Sequence, residues 1–390
     1  MTISRRGFSK LATALPVAGA GLWSTVRAAT QESVRLPSLA HAYAGKLLIG
    51  AAVTPELMAG QVGDLVRQQF SIVVAENAMK PESLAPTAQG HYDFAAADRM
   101  VDAALAAGLK VRGHTLLWHQ QLPAWFLVDG GAEVTRAVLV ARIEQYITDV
   151  VTHFRGRIHA WDVVNEAFVC DEKDVATDAT GMRLSKLRTI VGPEYVEIAF
   201  RAAAKADPDA LLFYNDYETQ NPRKVAALTR FLADLKSRGV KVDGIGHQCH
   251  CGLMYPRVDA LERAIDAFAE LGLQQHITEL DISLNARLME NKVPRSTPAL
   301  LQTQAKRYGE FFAMFLRKRA HVSAVLMWGV GDASSWLRYW PMRRHEAPLL
   351  FDDQMQAKPA FFAVLAAAQG ADACNGSLGV SPNSRTKTCY

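Results

Sequence analysis

Two stretches of this 390-residue chain run through apolar side chains into a glutamate. AWDVVNEAF, residues 160–168, reaches Asn165 and Glu166, and ITEL, residues 277–280, places Glu279 where a buried strand would carry another aliphatic residue. A lone glutamate at a strand end is commonly a helix-cap or ion-pair carboxylate. Two in one pocket can do more. One can carry a proton to a leaving oxygen while the other, ionised, attacks carbon or activates water, and hydrolysis of a glycosidic bond needs that pairing. Asn165, directly before Glu166, adds an amide suited to the sugar hydroxyl beside the reacting carbon.

The two carboxylates must be delivered to one place, and the rest of the chain has a pattern that can deliver them. β-Like runs are read at 47–53, 71–76, 110–118, 158–166, 210–216, 244–250, 275–282 and 324–330, and segments such as 95–109, 195–206 and 258–272 carry apolar residues at helical spacing between them. Eight nearly continuous apolar runs alternating with helices imply strands buried on both faces. That predicts an α/β fold, the closed TIM (β/α)8 barrel. An open doubly wound sheet is the alternative; as a nucleotide enzyme it would carry a glycine-rich phosphate loop, and the chain holds no G-x-G-x-x-G or Walker sequence.

Active sites of such barrels gather at the C-terminal ends of the strands. The polar residues that close the runs are Glu76 and Asn77; His114 and Trp118; Asn165 and Glu166; Asn215, Asp216 and Tyr217; Gln248 and His250; Glu279 and Asp281; and Trp328. Amides and carboxylates beside aromatic faces suit a sugar, whose rings pack on Trp while its hydroxyls are hydrogen-bonded. His247, Cys249, His250 and Cys251 are also zinc-type donors. On a strand, however, alternate residues point to opposite faces, so these four do not converge, and His114 and His119 do not share a face either. No metal site is expected. Trp125 and Trp161 are read as core.

The segments VVAENAMKPESL, RGHTLLWHQQLPAWF, WDVVNEAF, GIGHQCH, ITELDI and LMWGVGDASSW, in this order, resemble the family-10 glycoside hydrolases, the retaining endo-β-1,4-xylanase family, over residues 47–367. The E-N-x-M-K and G-H-T-L-x-W-H segments are specific to that family. The resemblance implies Glu166 as general acid/base and Glu279 as nucleophile, with His250 hydrogen-bonding Glu279 and Asp281 orienting His250. It implies that Glu76, Asn77, Lys80 and Gln121 hold the sugar two units away on the non-reducing side, that His114, Trp118, Asn165 and Gln248 surround the ring being cleaved, that Trp328 and Trp336 wall it, and that Tyr217 faces the leaving group. The implied substrate is xylan or xylo-oligosaccharides, with water and no cofactor. Another β-1,4-glucan, or sugar binding without catalysis on the same fold, are the other readings. The chain departs from the family at Pro81, where Trp is usual after the Lys of E-N-x-M-K, and at His247, Cys249 and Cys251, where smaller or neutral residues are common.

The composition fits a soluble enzyme, with 49% hydrophobic and 21% charged residues. A formal net charge of +4 from scattered Lys and Arg argues against nucleic acid as a partner. SRRGFSK, residues 4–10, leads through a moderately apolar stretch to small residues ending at Ala28, which resembles a twin-arginine export signal. Residues 1–28 are therefore expected to be removed on export to the periplasm or beyond, leaving a monomeric barrel at 29–369, no membrane attachment and a polar tail at 370–390. Cys374 and Cys389, 15 residues apart, are candidates for a disulfide worth ~3 kcal/mol in the chain-entropy view, and the pairing of Cys170, Cys249 and Cys251 is left open.

Overall fold

The computed structural model describes residues 36–169, 175–288, 294–340 and 343–376, the last six by backbone alone. The export signal, Cys170, Cys389 and the side chain of Cys374 lie outside the described residues. The barrel belongs to a compact unit that begins at Pro37.

Eight strands form the barrel: β1 (Leu48–Val53), β2 (Ile72–Ala75), β3 (Lys110–Trp118), β4 (Ala160–Asn165), β5 (Leu211–Asp216), β6 (Gly244–His247), β7 (Gln274–Ile282) and β8 (Val322–Met327). Each pairs in parallel with the next, and β8 returns to β1 with Ala324 opposite Leu48, which closes the ring. All residues of β2 and β4 are buried, as their unbroken apolar character requires of strands covered on both faces.

The outer helices start where the sequence supplies a cap. Thr135 accepts from the Val138 N–H to open the helix Arg136–His153, and Asn221 and Thr297 cap helices whose first residues are Pro222 and Pro298. The helix Val258–Ala269 buries Leu261, Ala264, Ile265 and Phe268, one stripe at helical spacing laid on the barrel. The final helix, Pro359–Gly376, runs on past the expected domain end at 369. Among the described residues, no helix is long and apolar enough to cross a membrane.

Two of the departures from the expected strand ends shape the mouth. β4 stops at Asn165; Glu166 leaves the strand with φ +57°, a left-handed backbone that turns its side chain out of the alternation. β6 stops at His247, Cys249 takes φ +58°, and His250–Cys251 resumes as a two-residue strand beside Asp281 and Ile282. The continuous strand expected over 244–250 is thus interrupted. Gln248 and His250 both reach the mouth, while His247 is buried elsewhere, its Nδ1 bonded to the Thr219 hydroxyl and its Nε2 to Gln275 Oε1. Trp161 is wholly buried, with its ring filling the place where a Cβ on Gly113 would lie, 2.2 Å from Cε3. Trp125 is only half-buried, stacked on Phe126 and bonded through Nε1 to the Ala85 carbonyl.

Candidate active site

Glu166 enters the mouth beyond β4, where its N–H donates to the Asn215 carbonyl at 2.9 Å and its own carbonyl accepts from Arg183 Nε at 3.2 Å. The carboxyl is held by three donors. Trp118 Nε1 reaches Oε2 at 2.9 Å, and the Gln248 and Asn165 amides reach Oε1 at 2.9 and 3.3 Å. Burial pushes its pKa above the ordinary carboxylate range; the Gln248 amide pulls the other way, but the like charges of Asp216 and Glu279 add to the rise.

Glu279, near the end of β7, is buried and accepts from Asn215 Nδ2 at 2.8 Å and from His250 Nε2 at 3.2 Å. His250 donates through its other nitrogen to Asp281 Oδ2 at 2.9 Å, and the same oxygen accepts from Trp336 Nε1 at 2.8 Å. Burial alone would keep this imidazole neutral, yet the two carboxylates outweigh it and push its pKa up to about 10. The imidazolium then holds Glu279 below the usual range despite the opposing effect of burial.

An amide bridge links the two carboxylates. Asn215 donates to Glu279 and, at 2.9 Å, to Asn165 Oδ1, which also accepts from Gln248, the donor to Glu166. The side-chain oxygen of Asn215 is fixed by the Thr278 hydroxyl at 2.7 Å. Gly246 makes room for this: a Cβ there would stand 2.2 Å from Asn215 Oδ1.

The remaining expected residues lie around this centre. Lys80 donates to Asn77 Oδ1 and Gln121 Oε1, both at 2.8 Å, and stands 5.2 Å from the Trp118 ring. Burial lowers its pKa, against the pull of Glu279, Glu76 and Glu166. Burial raises that of Glu76, which Lys80 opposes. Pro81 is the buried first residue of a short helix, Pro81–Leu84. His114 is anchored by Asp162 at 2.9 Å and meets Trp328 edge-on at 5.2 Å, while Trp336 lies 4.9 Å from the His250 ring. The Tyr217 hydroxyl accepts from Arg183 at 2.8 Å.

Several residues in this array carry no role that the sequence alone assigns. Asn215 and Asp216 are visible there as polar strand ends, but nothing gives them work. Asp162 and Arg112, which form a buried pair beneath His114, look like ordinary strand residues, and Arg183 comes from a loop with no motif. Cys249 and Cys251 are free and buried, and among the described residues no three His, Cys, Asp or Glu side chains are placed to hold a metal ion.

Comparison with known proteins matches residues 38–367 to the family model described as glycosyl hydrolase family 10. A thermostable celloxylanase of Thermoclostridium stercorarium is 40% identical, the alignment covering 85% of this chain and 87% of that protein. Endo-1,4-beta-xylanase B of Paenibacillus barcinonensis is 38% identical over 85% of this chain and 99% of its own length. Among solved structures, xylanase B from Clostridium stercorarium F9 superposes with a TM-score of 0.80 at 41% identity, covering 85% of this chain and 99% of that one.

Proposed function

The chain belongs to glycosyl hydrolase family 10, and from that premise we propose that Glu279 is the nucleophile and Glu166 the acid/base of a double displacement. The activity is that of an endo-1,4-β-xylanase acting on xylan and xylo-oligosaccharides. One observation supports the division of labour: two carboxyls tied to the same amide bridge have their pKa values moved in opposite directions, Glu166 up and Glu279 down.

In the first step a Glu279 oxygen attacks the anomeric carbon as the bond to the leaving oxygen breaks and Glu166 gives that oxygen its proton. In the second, Glu166 takes a proton from water, the water oxygen attacks the same carbon, and the ester to Glu279 is released. The like charge of Glu279 helps hold the proton on Glu166. Once Glu279 is esterified that charge is gone, so Glu166 is more readily ionised and serves as base. Asn165, Gln248, His114 and Trp118 surround the ring being cleaved, with Trp328 and Trp336 as its wall. Glu76, Asn77, Lys80 and Gln121 grip a sugar further along, and Tyr217 faces the leaving group.

Proton NMR of the first-formed product tests this directly. Two inversions give the β-anomer before mutarotation, and the α-anomer appearing first would mean that water is activated in a single displacement. The name celloxylanase borne by one relative makes a β-1,4-glucan the second substrate to assay, with rates on xylan and on a cellulose-type polymer compared.

The N-terminal SRRGFSK supports a further reading, that the enzyme is exported already folded through a twin-arginine route and works in the periplasm or outside the cell. Replacing Arg5 and Arg6 by Lys should leave uncleaved precursor inside the cell. We also propose that the enzyme is a monomer, which sedimentation would check.

A further inference from the structure

A second buried group stands behind Glu166. Four donors converge on Asp216 at the end of β5: Lys224 Nζ at 2.7 Å, the Tyr217 N–H at 2.9 Å, the Phe168 N–H at 3.4 Å, and the Tyr214 hydroxyl in a close contact. The Tyr214 hydroxyl in turn accepts from the N–H groups of Ala167 at 3.0 Å and Phe168 at 3.2 Å. Those are the two peptides immediately after Glu166, the residue with the left-handed backbone. Lys224, from the helix Pro222–Ser237, is wholly buried, and its Nζ also donates to the Tyr217 carbonyl at 2.8 Å. None of the three is hydrogen-bonded to the carboxyl of Glu166 or Glu279.

We propose that Tyr214, Asp216 and Lys224 are positioning residues for the acid/base, the hydroxyl fixing the turn from which Glu166 projects and the buried ion pair setting the charge that its carboxyl meets. This rests on the reading of Glu166 as acid/base. The charged groups around Glu166 are Asp216 from β5, Glu279 from β7, Lys80 beyond β2 and Arg183 at its carbonyl. Those around Asp216 are Lys224 and, as titratable hydroxyls, Tyr214 and Tyr195. Burial leaves the pKa of Asp216 raised; Lys224 and the Tyr214 and Phe168 donors oppose that rise, and they are partners suited to the anion. As an anion, Asp216 raises the pKa of Glu166 and so helps it keep the proton that the leaving oxygen needs.

The test is the pH profile of kcat/KM, whose alkaline limb reports the acid. Asp216→Asn removes the anion, keeps the shape and leaves the Lys224 cation, so the limb should move to lower pH by on the order of one unit. The accompanying loss near neutral pH should be about tenfold on xylan and slight on an aryl xyloside with a good leaving group, which needs no proton. Adding Lys224→Met removes the leftover cation and should bring the limb back towards its original place; a merely structural role predicts a worse enzyme with the limb unmoved. Folded Asp216→Asn with an unshifted limb overturns the proposal. Tyr214→Phe keeps both charges and isolates the turn. It should lower kcat on xylan about tenfold at unchanged KM, and an unchanged kcat overturns the proposal even where Asp216→Asn fails to fold. Glu166→Gln, run alongside, should erase the alkaline limb. If the limb persists there, the acid/base reading itself is wrong, whatever the other variants do.

Discussion

Glu166 and Glu279 sit at the ends of β4 and β7, lose water to the same mouth and share the Asn165–Asn215 bridge, yet their protons are held in opposite senses. Burial pushes both pKa values up, so burial cannot divide the roles. The partners do. Glu166 receives neutral donors from Trp118 and Gln248 and faces two like charges, whereas Glu279 faces an imidazolium locked by Asp281. With both buried, the sign of the neighbouring charges separates the two carboxyls, and on the proposed reading that separation makes one the acid and the other the nucleophile.

The contrast between the two breaks most sharply at Glu279. Glu279→Gln keeps the contact with Asn215 in shape but removes the attacking charge, and turnover on xylan should fall by roughly four orders of magnitude or more, with the thermal transition little changed. Substantial residual turnover in a folded variant would mean that another group attacks. Glu166→Ala should cost less and do so unevenly. Loss on xylan of about 10²–10⁴-fold is expected, with a far smaller loss on activated aryl xylosides, and azide should restore the second step by attacking the glycosyl-enzyme in place of water. Equal losses on both substrate types without azide rescue would remove Glu166 from its role.

The difference between the two sides can also be titrated away. As the proposed nucleophile, Glu279 must be ionised to attack, so the acid limb of kcat/KM should follow its pKa, which His250 pulls down against the effect of burial. In His250→Asn the cation is gone, burial is less strongly opposed, and the acid limb should move up by on the order of one to two pH units. Activity lost at pH 5 would be partly recovered at neutral pH. A limb that stays in place would show that Asn215, not His250, sets the charge of the nucleophile.

Particular residues show how far the sequence alone reaches. The eight apolar runs located every barrel strand, with ends within about two residues except at β6 and β8, which stop three residues short of the expected runs, because strands covered on both faces leave an unbroken apolar signature. Glu166, Glu279, His250 and Asp281 were legible through type, order and the resemblance. The illegible part depends on single backbone angles and on distant partners. No propensity announces that Cys249 takes a left-handed φ and interrupts the strand after His247, although Gln248 and His250 still reach the mouth together and His247 lies apart from them. Asn215 looks like any polar strand end until Gly246, one strand over, is seen to leave space for it. Asp162 is hidden for a similar reason: its partner Arg112 lies fifty residues earlier, on the adjacent strand β3.

The smallest expected effect lies farthest from the bridge, where Lys80 is held between Asn77 and Gln121. Gln121→Ala removes one of two anchors and any hydrogen bond the amide gives a sugar, while Asn77 still holds the ammonium. A neutral hydrogen bond of this kind is worth about 1 kcal/mol, or roughly fivefold. A distal grip, as proposed for these residues, acts on ground state and transition state alike, so the change should fall on KM and leave kcat nearly untouched. It should also be largest on a short xylo-oligosaccharide, for which this contact is a greater share of binding than for a polymer spanning the whole mouth. Should kcat fall instead, in parallel on short and long substrates, Gln121 would act through Lys80 on the two carboxylates, whose charges the ammonium faces, and the distal grip would belong to the catalytic pair after all.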